Sequence, residues 1–286
     1  MKLVSPNFAD LLSPNIEIKR FPDGDSYVRI PNLEAYRDKD VTIFHRLYPQ
    51  PDVSILQTLF MLNSLHAVNA STTLVAPYLP YARQDKIFLE GEVKSADIIC
   101  SLLASAGLKK LITFNCHFMK KEGEIENQGL KIKNISFAEQ LIEHAKKKFD
   151  NKKFDIIAPD KGALYLVEKF GGKAMEKVRG GYVKGDVAHR AISKMVADFE
   201  LKEKNVLIVD DMISGGGTMI EACKVLREMG AKKIFCAATH GFFLNDALLK
   251  LNEVCDGVFV SNSIPSPVSE VDILQELKNQ KVIDHG

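Results

Sequence analysis

Short apolar runs rich in β-branched residues alternate along this chain with longer amphipathic stretches, and that alternation leaves few folds open. Val41 to Phe44, Thr72 to Ala76, Leu111 to Phe114, Ile156 to Ala158, Val206 to Val209 and Ile234 to Ala238 read as buried strands. Ser54 to Val68, Ser95 to Ala106, Ala163 to Phe170, Thr218 to Met229 and Val271 to Asn279 read as helices. Strands without a polar face, separated by helices, predict an α/β fold whose sheets are mostly parallel and flanked by helices. One segment departs from the pattern. Ile16 to Ile30 alternates around Pro22-Asp23-Gly24, which predicts a hairpin with Asp-Gly at its turn.

A length of 286 residues fits two domains of about 150 residues each, and an internal echo says that they are alike. Gly107-Leu108-Lys109-Lys110-Leu111-Ile112 leads to His117, and Gly230-Ala231-Lys232-Lys233-Ile234-Phe235 leads at the same spacing to His240. Glycine and lysines are common where a helix gives way to a strand, because glycine caps the helix and lysines complement its negative end. That leaves the matched histidine unexplained. We therefore expect two domains of one topology, with the strands after Lys109 and Lys232 at the same place in their sheets and His117 matching His240. The polar run Lys146 to Lys153 reads as a solvated helix end and linker. It divides the chain into an N-terminal domain over 1–145 and a C-terminal domain over 146–286.

The charges nearly cancel, 38 Lys and Arg against 37 Asp and Glu, without the basic excess of a general nucleic-acid binder. A local anion site needs only a few charges and stays open. Cys100, Cys116, Cys223, Cys236 and Cys255 are odd in number and form no C-x-x-C pair. A zinc ribbon or disulfide framework is not expected, and a reducing compartment is. The N-terminus lacks the apolar stretch of a signal peptide, and no apolar run reaches the length needed to cross a bilayer. The expectation is a cytoplasmic protein without membrane or nucleic-acid partners.

The strongest chemical signal is Val206-Leu207-Ile208-Val209-Asp210-Asp211-Met212-Ile213-Ser214-Gly215-Gly216-Gly217-Thr218. A buried strand ends in two carboxylates, then a glycine-rich loop, then a helix. Ligands of open α/β sheets sit at the carboxyl ends of strands. Glycines let backbone N–H groups approach an anion, and the helix N-terminus favours negative charge. Ser214 and Thr218 add hydroxyl donors, and paired acids can accept hydrogen bonds from vicinal sugar hydroxyls or hold a metal. The pattern asks for a phosphorylated sugar. It is not a Walker A loop, since no lysine follows the glycines.

The segment resembles the phosphoribosyl-diphosphate (PRPP) loop shared by phosphoribosyltransferases and PRPP synthetases. Pro77-Tyr78-Leu79-Pro80-Tyr81-Ala82-Arg83-Gln84-Asp85-Lys86 separates the two, because it is similar to the ATP loop of the synthetases. Arg83 and Lys86 are cations suited to a polyphosphate. Arg20-Phe21-Pro22-Asp23-Gly24-Asp25 is similar to that family's adenine-binding hairpin, Asn115-Cys116-His117 to the stretch with its metal-binding histidine, and Ala158-Pro159-Asp160-Lys161-Gly162-Ala163 to the loop with its second metal ligand. The resemblance covers essentially the whole chain and is strongest to the short archaeal type of ribose-phosphate pyrophosphokinase.

The resemblance implies an Mg²⁺-dependent ribose-phosphate diphosphokinase that turns ATP and ribose 5-phosphate into PRPP and AMP. It implies ATP contacts from Phe21, Asp23, Gly24, Asp25, Arg83, Gln84, Asp85 and Lys86, and metal ligation by His117 and Asp160. Ribose 5-phosphate falls to Asp210, Asp211, Ser214, Gly215, Gly216, Gly217 and Thr218, with Arg179. The basic, glycine-rich stretch Gly171 to Gly185 is a candidate lid over phosphates, in which Lys177 and Arg179 match the family's catalytic Lys-x-Arg pair. The resemblance also implies a homo-oligomer, at least a dimer, whose ATP site is shared between subunits. A phosphoribosyltransferase and a non-catalytic synthetase-like subunit are the alternatives; the first should lack Arg83-Gln84-Asp85, the second the Lys-x-Arg pair or the metal ligands. Two departures stand out. Asn115 occupies a position commonly held by Asp, and Ser214-Gly215-Gly216-Gly217 lacks the usual acid and Thr or Ala near its start. His240 has no motif around it and reads as structural.

Overall fold

In the first unit, Met1–Ile135, the apolar runs form the middle of a sheet. The computed structural model describes residues 1–179 and 192–283. Strands β1 (Lys2–Val4), β2 (Glu17–Arg20), β3 (Ser26–Arg29) and β4 (Asp40–Phe44) lead into helix α1 (Pro51–Ala67). Strand β5 (Ser71–Val75), helix α2 (Ser95–Ser105), and strands β6 (Leu108–Phe114), β7 (Gly123–Asn127) and β8 (Leu130–Ile135) follow. The sheet order is β1-β4-β5-β6-β8-β7. Only β7 runs antiparallel to its neighbour. Leu74, Val75, Leu111 and Phe114 are fully buried, as strands covered on both faces require. Pro51 starts α1 where a missing N–H costs nothing, and α1 buries Met61, Leu62 and Leu65. The expected hairpin is present as β2 and β3, paired antiparallel.

The second unit, 136–286, opens with helix α3 (Ala138–Lys148), strand β9 (Asp155–Ala158), the single turn α4 (Leu164–Val167), and strands β10 (Lys173–Ala174), β11 (Glu176–Arg179) and β12 (Ile192–Val196). Strand β13 (Asn205–Ile213), helix α5 (Gly217–Glu228), strand β14 (Lys233–Gly241), helix α6 (Ala247–Asn252), strands β15 (Gly257–Ser261) and β16 (Ser269–Val271) and helix α7 (Ile273–Asn279) complete it. The sheet order is β10-β9-β13-β14-β15-β16, and every pair is parallel. Strands β11 and β12 form a separate antiparallel ribbon.

The two sheets carry the predicted duplication. β6 and β14 each stand fourth in a six-stranded order, so the echoed junctions lead into equivalent strands. The histidines do not match. β14 runs on through His240, which is buried and holds Ser263 Oγ at 2.9 Å through Nδ1. β6 stops at Phe114, and Asn115, at φ +37°, turns the chain before His117 is reached.

Two further expectations need correction. The division falls between Ile135 and Ser136 rather than at 145/146. Lys146 to Lys148 are a helix end, the last turn of α3, and Phe149 to Lys153 connect α3 to β9 inside the second unit instead of linking the two units. Helix α3 buries Leu141, Ile142 and Ala145, and Phe149 stacks on Phe154 and meets Phe235 edge-on, with centroids 4.7 and 5.0 Å apart. Those contacts bind the helix to the second sheet. The candidate lid also starts later than Gly171, because Lys173–Ala174 is the edge strand beside β9 and Met175 is fully buried. No helix among the described residues is long and apolar enough to cross a membrane.

His45, just past β4, gives the first unit a pH dependence. It is fully buried, with Nδ1 2.9 Å from Ser5 Oγ, and burial holds its imidazole down to about 4. An unfolded chain protonates this group near pH 6.5 while the native chain does not, so stability falls as pH drops from that value toward 4. The expected loss by pH 4.5 is about 2 to 3 kcal/mol from this residue. Urea unfolding at pH 7 and 4.5 should show that share of the slope gone in His45→Asn; an unchanged slope would refute it.

Candidate functional site

β13 is buried from Val206 to Val209, and the residues that follow this apolar run are Asp210 and Asp211. β9 lies beside it in parallel, pairing Ile156 with Leu207 and Ile157 with Ile208. That register brings the loop after β9, with Asp160, to the same end of the sheet. Asp210 keeps partial solvent access although its carboxyl is enclosed by protein. Burial pushes that carboxyl well above the usual carboxylate range, and the negative charges of Asp211 and Asp160 push it the same way. The Asp211 N–H donates to Asp210 Oδ1 at 2.8 Å and partly offsets this. Asp160 also caps the turn after β9, with Oδ1 accepting from the Gly162 N–H at 2.8 Å. Three carboxylates therefore share one sheet edge and favour hydrogen-bond donors or cations.

The glycine-rich loop follows directly. Gly216 is buried at φ +76° and caps α5, and Gly215 and Gly217 are exposed. Ser214 and Thr218 are half-buried. Helix α5 has no side-chain cap, so its first N–H groups are not consumed by one, as an anion site needs. A side chain at Gly216 would place its Cβ 3.2 Å from Ala247 Cβ, whereas nothing lies within 4 Å of one at Gly215.

In the first unit the hairpin turn is closed by two backbone bonds of 2.9 Å, Phe21 N–H to Asp25 C=O and Gly24 N–H to Phe21 C=O. Gly24 sits at φ +97°, and the Asp25 N–H donates to Asp23 Oδ1 at 3.1 Å. Phe21 is half exposed and packs against Tyr27 in a T-shaped pair, centroids 5.7 Å apart. In the loop after β5, Arg83 and Lys86 are exposed and Asp85 is half-buried. Gln84 is committed to the fold. Its Oε1 accepts from Ser95 Oγ at 2.8 Å and its C=O from the Ala96 N–H at 3.3 Å, which fastens the loop to the start of α2.

His117 is half-buried in the turn after β6. Two asparagines build that turn. Asn115 takes a left-handed φ of +37°, a region that Asn and Asp tolerate best. Asn134 of β8, buried, accepts from the Cys116 N–H at 2.8 Å and donates to the Lys121 C=O at 2.9 Å. Sequence reading passed over Asn134; it follows Lys131 and Lys133 in a strand that alternates apolar and polar residues, so nothing in the sequence set it apart.

The backbone of Lys177 and Arg179 lies in β11, opposite Met195 and Ile192, with a register shift between Val178 and Arg179. Their side chains, and the rest of the candidate lid from Gly180 to Gly185, lie outside the described residues. Among the described residues no three His, Cys, Asp or Glu side chains form a ready-made metal cage.

Residues 9–107 match the family model described as the N-terminal domain of ribose phosphate pyrophosphokinase, and residues 188–284 match a phosphoribosyl synthetase-associated domain. The chain is 36% identical to a ribose-phosphate pyrophosphokinase of Pyrococcus abyssi over 263 residues, covering 91% of this chain and 88% of that one. It is 36% identical to the protein of that name from Pyrococcus furiosus over 274 residues, covering 93% and 91%. A solved phosphoribosylpyrophosphate synthetase from Mycobacterium smegmatis shares the fold, with a TM-score of 0.78 at 24% identity over 98% of this chain and 96% of that one.

The loop geometry makes a prediction that does not depend on the ligand. Gly216→Ala adds a left-handed backbone cost to a tight contact and should destabilise by about 1 to 3 kcal/mol. Gly215→Ala should be close to neutral. Equal denaturation midpoints for the two variants would contradict the placement of Gly216.

Proposed function

This chain belongs to the ribose-phosphate pyrophosphokinase family, and from that premise we infer that it is a ribose-phosphate diphosphokinase. It moves the diphosphoryl group of ATP to the anomeric hydroxyl of ribose 5-phosphate and gives PRPP and AMP. The observation that carries the reading is the sheet edge where Asp210 and Asp211 lead into the Ser214-Gly215-Gly216-Gly217-Thr218 loop beside Asp160.

Asp210 and Asp211 accept from the ribose hydroxyls, and the N–H groups of Ser214 to Thr218 take the 5-phosphate. Arg83 and Lys86 serve the ATP phosphates, while Gln84 and Asp85 shape their loop. Phe21 offers its open face to the adenine, and the turn of Asp23, Gly24 and Asp25 surrounds the base's polar edge. Lys177 and Arg179 neutralise charge as the diphosphoryl group moves, with Arg179 also reaching the ribose 5-phosphate. Such a transfer depends on positioning and electrostatics more than on covalent chemistry.

The donor set fits magnesium. The His117 imidazole in the first unit and the Asp160 carboxylate in the second each stand outside any all-protein cage among the described residues, as suits an ion that keeps waters and binds through substrate phosphates. His117 and Asp160 would each hold such an ion, and the chemistry it supplies when bound is to neutralise phosphate charge. Membership of this family of metabolic enzymes supports a cytoplasmic enzyme.

AMP release from ATP should require both ribose 5-phosphate and Mg²⁺, and ATP turnover without the sugar would overturn the reading. Lys177→Ala should lower kcat by about 10²- to 10³-fold with KM values held within a few-fold, the loss expected for one donor to a developing charge. A near-normal kcat would remove Lys177 from the chemistry.

The half-exposed Phe21 also supports an ATP site completed by a second subunit. Mixing Asp25→Ala chains, defective in the hairpin, with Lys177→Ala chains should restore about one quarter of wild-type activity for random pairing in dimers. No recovery, once subunit exchange is verified, would mean that each chain builds its own site.

A further inference from the structure

The glycine-rich loop does not hold its shape alone. A phosphate loop must turn its N–H groups toward the anion and its carbonyls away from it. Here the carbonyls at its entrance are taken by the turn that follows β14. The N–H groups of Phe242 and Phe243 donate to the Ile213 C=O at 2.9 and 3.3 Å, and the Leu244 N–H donates to the Ser214 C=O at 3.0 Å. The same turn ends at Ala247, the residue against which Gly216 packs.

The turn adopts a backbone that its sequence does not favour. Phe243, Asn245 and Asp246 stand at φ +51°, +53° and +60°. Asn and Asp enter this region readily, but a bulky aromatic residue does not. The ring of Phe243 gives the compensation. It lies where a side chain at Gly241 would stand, with Cε2 2.5 Å and Cζ 3.1 Å from the Cβ that Gly241 lacks. The ring thus fixes the turn to the last residue of β14, and the turn in turn fixes the loop.

We propose that Phe243 is a positioning residue for the sugar-phosphate site, acting through the carbonyls of Ile213 and Ser214 and through the contact between Ala247 and Gly216. It touches no substrate and sets the direction in which the loop's N–H groups point. This rests on the reading of Ser214 to Thr218 as the ribose 5-phosphate loop. Loss of the ring should weaken ribose 5-phosphate selectively, because no ATP contact proposed above depends on this turn.

The test is calorimetric titration of the full-length enzyme with ribose 5-phosphate and, separately, with Mg·ATP. Phe243→Ala should weaken ribose 5-phosphate by about 10- to 30-fold, the loss expected for a disturbed set of charge-assisted hydrogen bonds, with ATP affinity within two-fold. Phe243→Leu, which can refill the space over Gly241, should recover most of the loss, and Leu249→Ala on the exposed side of α6 should change neither ligand. Ala247→Val reaches the loop by the second contact and should show the same selectivity; it decides the matter if Phe243→Ala does not fold. Ribose 5-phosphate affinity within two-fold of wild type in a folded Phe243→Ala or Ala247→Val enzyme would overturn the proposal, as would equal weakening of both ligands. A wild-type enzyme that binds ATP but not ribose 5-phosphate would overturn the reading of the loop itself, and this inference with it.

Discussion

The parallel pairing of β9 with β13 is the constraint on which the site depends. It delivers Asp160 to the same sheet edge as Asp210 and Asp211, where burial and mutual repulsion raise the Asp210 carboxyl well above its usual range. Carboxylates held this way are poorly satisfied by one another. They gain from any ligand that brings hydroxyl donors or a cation. The strand that carries two of them then runs straight into the Ser214 to Gly217 loop and the N-terminus of α5. A polyol and a phosphate can therefore be held by one strand and the turn after it, which is the geometry a sugar phosphate needs.

The two units show how one scaffold presents two kinds of loop. Their sheets share an order through the central strands, and the differences lie in the connections. After β5 the first unit has a long loop with Arg83 and Lys86 exposed, and Gln84 ties it to α2. After β13, at the equivalent place, the second unit has a short glycine-rich turn. The first unit also inserts the β2–β3 hairpin, with Phe21 half exposed at its turn. Chemistry differs because loops differ, while the buried strands that present them stay alike.

Much of this was legible in the residues. The central strands announced themselves as apolar runs, Asp23-Gly24 marked the hairpin turn, and the Asp-Asp and glycine pattern marked the site. What escaped had weaker signals. Helix α3 carries three lysines in its last turn, which masks the stripe of Leu141, Ile142 and Ala145 that ties it to the second sheet. Strands β1, β10 and β16 have three, two and three residues, too few for a period to show, and they exist because longer neighbours offer them a pairing edge. The histidine echo was misleading because Asn115 at φ +37° ends β6 where β14 continues, and a change of backbone sign leaves little trace in composition. Nor did anything in the sequence say that the turn from Phe242 to Ala247 holds the loop, since its part is played by backbone N–H groups.

In the proposed function, the end of β13 recognises the sugar rather than the nucleotide. Titrating Asp210→Asn with ribose 5-phosphate and with ATP at fixed free Mg²⁺ tests it most directly. An amide of the same shape loses a charged acceptor, so ribose 5-phosphate should bind at least about 10-fold more weakly while ATP affinity stays within two-fold. Equal weakening of both would contradict the account and assign the carboxylate to the metal instead.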